Sequence, residues 1–135
     1  MRDYLNISIV ISILVIISYL SLSPISTPNT GLPVSYIAHF GMYFSLAGAL
    51  LVYFHEKNHT HLDAAVLAGM TGLFFELVQS QIGYRTFSFS DIAINFIGAG
   101  LILVEQRVPV VHQVVMLEDD FLEKIFLTLL SFLKF

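Results

Sequence analysis

Cysteine is absent from the 135 residues. That excludes a disulfide framework, a thiolate metal site and a cysteine nucleophile, and it leaves the redox compartment open. Charge is scarce: 6 Lys and Arg and 10 Asp and Glu make up 12% of the chain, with a formal net charge of -4. Part of that charge is local, in Glu118, Asp119, Asp120 and Glu123. No run of basic residues exists to follow a phosphate backbone, so nucleic acid is excluded as a partner. Internal repeats and low-complexity tracts are missing as well. What the chain has is apolar sequence, 56% hydrophobic residues with a mean hydropathy of +0.81. Those values exceed what a soluble domain of this size carries and suit a multi-span membrane protein.

The run Leu5 to Ser23 is long enough to cross a hydrocarbon core at about 1.5 Å per residue. It lacks the short apolar region and small-residue cleavage site of a signal peptide, so it reads as a retained span over 5–23. Three prolines and a glycine between Pro24 and Pro33, with no charged side chain, end that helix and form a polar loop. A second span is expected over 36–54 and closes in the charged connection His55 to His61. A third, over 63–82, opens with Ala64, Ala65, Ala68, Gly69 and Gly72 at spacings that let a neighbouring backbone approach closely. Ser88-x-x-Asp91 has the form of a capping box and opens a fourth span over 90–106.

Beyond Arg107-Val108-Pro109 the chain has no helical period until Asp119. From there a polar stripe of Asp120, Lys124, Thr128, Ser131 and Lys134 faces a broad apolar surface. Its apolar part reaches only about 20 Å, so it is expected to lie in the membrane interface rather than to cross it. The expected architecture is all-α: an integral membrane bundle of four transmembrane helices over 1–107, then a linker and an amphipathic interfacial helix over 108–135. Four spans put both termini on one side, and Arg2, Lys57, Arg107, Lys124 and Lys134 there against Arg85 opposite favour cytoplasmic termini.

Within that topology the stretch Gly72 to Gly98 gathers the polar residues. His39 lies about one turn into the second span, Glu76 and Gln79 in the last turns of the third, Asp91 and Asn95 in the first turns of the fourth, and Arg85 in the loop above them. Glu76 with Gln79, Asp91 with Asn95, and His39 with Tyr43 are three or four residues apart, so each pair shares a helix face. Ionisable groups in spans normally face a bundle interior or wet cavity and find partners there, which points to a shared pocket open to the outside. Glu76, His39 and Asp91 are the candidate acid-base groups. Arg85, Gln79, Asn95 and Tyr43 are the candidate ligand-binding groups.

Each residue also has a plainer reading. Asp91 could serve only as a helix cap, Glu76 only as an ion-pair partner pinning Arg85, Asn95 and Gln79 only as interhelical hydrogen-bond glue. His39 and Tyr43 could be packing residues. His55, His59 and His61 look like a metal tract but read more simply as a solvated turn. Asn58-His59-Thr60 matches a glycosylation acceptor on the wrong side of the membrane for use. No spacing is a recognised metal-ligand signature, and no metal ligand is assigned; a divalent cation bridging Glu76, Asp91 and His39 stays open, and no other cofactor is indicated.

His39-Phe40-x-x-Tyr43, then Gly72-x-x-x-Glu76-x-x-Gln79, then Arg85-x-x-Ser88-x-x-Asp91-x-x-x-Asn95-x-x-Gly98 resembles the VanZ-like family of small multi-span membrane proteins. The resemblance covers roughly Tyr36 to Gly100. Members typically carry an Asp-Lys pair just before the histidine, where this chain has Ser35 and Tyr36. The family takes its name from a protein associated with resistance to the glycopeptide teicoplanin, so the resemblance implies an envelope location more firmly than a reaction.

Three functional readings follow. One is a protein that binds or modifies a lipid-linked or anionic envelope component, with Arg85 holding a phosphate or carboxylate. Another is a non-catalytic membrane scaffold. The third is a small proton- or ion-coupled transporter, against which stand the apolar inner halves of the spans, where only Tyr53 and Thr71 add polarity. Membrane lipids are the expected partners; whether a reaction is catalysed, and the oligomeric state, are not readable.

Overall fold

The structure, a computed structural model, describes residues 2–24, 34–55, 60–84 and 86–107, together with residues 121 and 124. It contains four helices: α1 (Arg2–Leu22), α2 (Val34–His55), α3 (His61–Gln79) and α4 (Phe89–Gly100), the last continuing as a 3-10 segment, Leu101–Arg107. Three of them are long and apolar enough to cross a membrane, and Phe89–Val104 is a shorter apolar helix. The fold is all-α, as the apolar runs imply. The amphipathic tail helix, the linker and the loop residue Arg85 lie outside the described residues, except that Phe121 and Lys124 are helical.

Helix ends differ from the sequence reading for local reasons. α3 starts at His61 rather than Asp63 because Thr60 is its N-cap: the Thr60 hydroxyl accepts the Asp63 N–H, and the Asp63 carboxylate accepts the Thr60 N–H at 2.6 Å. That closed box satisfies two end donors at once. α3 stops at Gln79 rather than Ile82 because the backbone tightens, with Gln81 and Ile82 donating to the carbonyls of Val78 and Gln79.

α3 is inverted relative to a helix of a soluble protein. Along α3, Ala64, Ala65, Ala68, Gly69, Gly72, Phe75, Glu76 and Gln79 are buried, while Leu62, Val66, Leu67, Met70, Phe74 and Leu77 are exposed. Small and polar residues face inward and large apolar ones outward, the arrangement favoured when the surroundings are lipid. Isolated polar groups on the spans are satisfied within their own helix: Ser8, Ser12, Ser18 and Thr71 each donate to a carbonyl four residues earlier.

α4 packs closely against both α2 and α3, and α1 lies mainly along α2. Two glycines permit this. A Cβ on Gly98 would stand 2.5 Å from the Phe40 carbonyl oxygen, and one on Gly69 would stand 2.5 Å from the Phe96 ring. The α2–α4 approach at Gly98 is backbone to backbone, which only glycine allows. It fixes α4 beside the first turns of α2, and so determines what meets there.

Candidate functional site

Three helices deliver side chains to the bundle end that carries the α3–α4 connection. His39 stands in the second turn of α2, Glu76 in the last turn of α3, and Asp91 and Asn95 in the first two turns of α4. One ligand atom from each of His39, Glu76 and Asp91 lies within 4.8 Å of the others. His39 Nδ1 meets Asn95 Oδ1 at 2.9 Å, and His39 Nε2 stands 4.0 Å from Asp91 Oδ2. The His39 and Asp91 side chains keep 13% and 18% exposure, whereas Glu76 and Asn95 are almost fully enclosed at 1% and 0%. The cluster therefore has a buried floor and an accessible rim.

The start of α4 explains why Asp91 is available. Ser88 is the N-cap and its hydroxyl accepts the Asp91 N–H at 3.2 Å, as the Ser-x-x-Asp pattern leads one to expect. The return half of the box differs from that at α3. The Ser88 N–H donates not to Asp91 but to Glu76 Oε2 of α3, at 3.2 Å. Glu76 thus takes the role that Asp63 plays in its own helix, and the Asp91 carboxylate turns to His39. Two patterns alike in sequence diverge because a third helix supplies the acceptor to one of them.

Asn95 holds the imidazole. An amide oxygen facing Nδ1 accepts its proton, which leaves Nε2 turned to the carboxylates. The Asn95 amide nitrogen is buried with no hydrogen-bond partner among the described residues. It lies against the notch at Gly72, where a Cβ would come within 2.9 Å of it. A buried amide N–H without an acceptor costs about 1–3 kcal/mol, so an oxygen supplied from outside the chain would be stabilised there.

Gln79 and Tyr43 belong to a neighbouring polar point between α1, α2 and α3. Gln79 Nε2 donates to the Ser21 carbonyl at 2.8 Å, and Tyr43, 1% exposed, is hydrogen-bonded side chain to side chain with Ser21. The Tyr84 hydroxyl donates to the Leu22 carbonyl at 2.6 Å. These bonds satisfy carbonyls that the end of α1 leaves without intrahelical partners. Sequence reasoning did not single out Ser21 or Tyr84. The only signal was a serine in the final turn of an apolar run, at the depth where the other polar groups gather.

The VanZ/LLP1 family model matches residues 4–105. An uncharacterized protein of Schizosaccharomyces pombe, C11E3.10, is 33% identical over 103 residues, covering 73% of this chain and 60% of that protein. The chain therefore spans about 60% of the length of the curated relative it matches. No solved structure matches it. Because the family model runs from the first turn of α1 through the 3-10 segment after α4, well over half of the chain, this protein belongs to the VanZ/LLP1 family.

Proposed function

We propose that this protein binds a lipid-linked polar group of the cell envelope at an outward-facing recess formed by the ends of α2, α3 and α4. The observation that carries the reading is the convergence of His39, Glu76, Asp91 and Asn95 from three helices in a bundle whose outer faces are apolar. A membrane protein keeps such groups together at a cost unless they meet a ligand. In this reading α4 and its 3-10 continuation form the fourth span. About 18 Å of α-helix followed by about 14 Å of 3-10 segment matches a core of ~30 Å. The distribution of Lys and Arg then places both termini in the cytoplasm and the recess outside. Arg85, which the sequence places between α3 and α4, is the candidate positive charge for a phosphate or carboxylate.

Mass spectrometry of lipids retained by the purified protein tests this. A headgroup class enriched with the wild type and lost with Arg85→Ala is the expected result; identical lipid profiles for the two refute it. Altered envelope lipids in a Glu76→Gln strain would extend binding to modification, and raised teicoplanin susceptibility on deletion would connect the protein with glycopeptide resistance. A scaffold role requires the same recess for recognition and no product. The transporter reading has less support, because the far half of α2 is packed with Leu46, Ala47, Ala49, Leu50 and Leu51, all buried and apolar. Ion flux in reconstituted vesicles, absent with Glu76→Gln, would reverse that ranking.

A further inference from the structure

One imidazole nitrogen and two carboxylate oxygens that lie within 4.8 Å of one another form a donor set for a cation. We propose that His39, Glu76 and Asp91 hold one divalent transition-metal ion, of the Zn2+ or Mn2+ kind, with Asn95 as the outer partner that orients the histidine. The inference deepens the proposed function, because the ion would be the contact for a phosphate or carboxylate oxygen, and in that respect it rests on that reading.

Four observations converge. The donor set is one imidazole nitrogen and two carboxylates from three separate helices, with ligand atoms within 4.8 Å of one another. Three such protein ligands leave a coordination position open for an exogenous oxygen. Second, His39 Nε2 and Asp91 Oδ2 are 4.0 Å apart. That is too far for a hydrogen bond, and two donors on a tetrahedral ion with bonds of about 2.0–2.1 Å stand roughly 3.3 Å apart. Closing this pair onto an ion needs about 0.7 Å of side-chain movement, and closing separations of up to 4.8 Å in the full set needs up to about 1.5 Å, within the reach of rotamer adjustment.

Third, the Nδ1 hydrogen bond to Asn95 Oδ1 at 2.9 Å is the contact that a metal-bound histidine makes through its other ring nitrogen, fixing the tautomer with the lone pair on Nε2. Fourth, the enclosed Asn95 amide nitrogen beside this cluster has no partner among the described residues, and water or ligand oxygen brought in with an ion would supply one. The mix of imidazole and carboxylate suits zinc or manganese better than magnesium or calcium; this donor set contains no sulfur, which disfavours Cu+, and without cysteine the chain offers no iron-sulfur ligands.

The test uses the full chain purified in mild detergent on a tag without histidine, stripped with EDTA and then given ZnCl2 or MnCl2. Metal analysis should find about one ion per chain, and melting temperature should rise with added metal. Asp91→Asn, which leaves the Ser88 hydroxyl to cap α4, should lose the ion while remaining folded. Asn95→Leu should weaken affinity by about 10–100-fold, and Asn95→Asp, which keeps an acceptor for Nδ1, should restore it. His61→Gln, outside the cluster, should bind as the wild type does. Absence of binding and of any thermal shift with both metals overturns the inference, as does equal binding by wild type and Asp91→Asn. The two proposals separate cleanly. A headgroup retained by protein that binds neither metal overturns the metal and leaves the lipid reading standing; metal bound to wild type and lost in Asp91→Asn, with no enriched lipid, does the reverse.

Discussion

Gly98→Ala is the substitution that tests the architecture most directly. A Cβ at this position meets the Phe40 carbonyl oxygen at 2.5 Å and the Phe40 Cα and carbonyl carbon at 3.2 Å, so the obstacle is backbone that no rotamer change can move. Ordinary contact begins at 3.4 Å, so α2 and α4 must separate by about 0.9 Å. Phe40 adjoins His39, and Gly98 lies one turn from Asn95. The same displacement therefore stretches the 2.9 Å contact between His39 and Asn95 toward about 3.8 Å, beyond hydrogen-bonding range. Overpacking costs about 1–3 kcal/mol, and loss of an interhelical hydrogen bond in a membrane adds about 0.6 kcal/mol. The expected outcome is a fall of several degrees in melting temperature in detergent, with weakened metal retention. Gly41→Ala and Gly100→Ala are internal controls, since neither position has anything within 4 Å of an added Cβ. Alanine is a better helix former by up to about 1 kcal/mol, so these two should be neutral or stabilising. If Gly98→Ala melts with the controls, α2 and α4 do not meet backbone to backbone at this position.

Three further outcomes are expected. Gly72→Ala places a methyl 2.8 Å from the Asn95 Cβ and should lower metal and lipid retention more than it lowers melting temperature, as measured on the same preparation. Ser88→Ala and Thr60→Ala each remove one cap hydroxyl and should each cost about 1 kcal/mol in thermal stability; Asp63→Ala, which leaves the Thr60 N–H without its acceptor, should cost more than Asp91→Ala, in which the Ser88 N–H keeps Glu76, and the reverse order would contradict the shared-acceptor account of Glu76. Met70→Asp, on the exposed face midway along α3, should reduce membrane insertion by about 2.5–3.5 kcal/mol, whereas in a water-soluble bundle it would be harmless, so fractionation of the variant tests the membrane assignment.

Much of this was legible without coordinates. Apolar runs of 19 to 22 residues interrupted by prolines and charges give three long helices in nearly the expected places, because crossing hydrocarbon demands length and apolarity over almost any other property. Small residues at the start of α3 are buried as their spacing implies. Helical period correctly places Asp91 with Asn95 on a face of α4. It groups Glu76 with Gln79 equally well, yet the two separate: Glu76 reaches the start of α4 and Gln79 reaches the end of α1. Residues three apart share a broad face, and only the neighbours on either side decide which way each turns.

Composition and periodicity by themselves determined that this chain is a helical membrane bundle in which His39, Glu76, Asp91 and Asn95 lie near one end, since both properties are local or nearly so. Whether Asp91 closes its own cap or faces a histidine could not be read from Ser88-x-x-Asp91, because Thr60-x-x-Asp63 has the same pattern and the opposite outcome. That choice belongs to the tertiary structure: Gly98 lets α4 settle against α2, Glu76 arrives from α3 to take the free backbone N–H, and the carboxylate that the sequence offers as a cap is left facing His39.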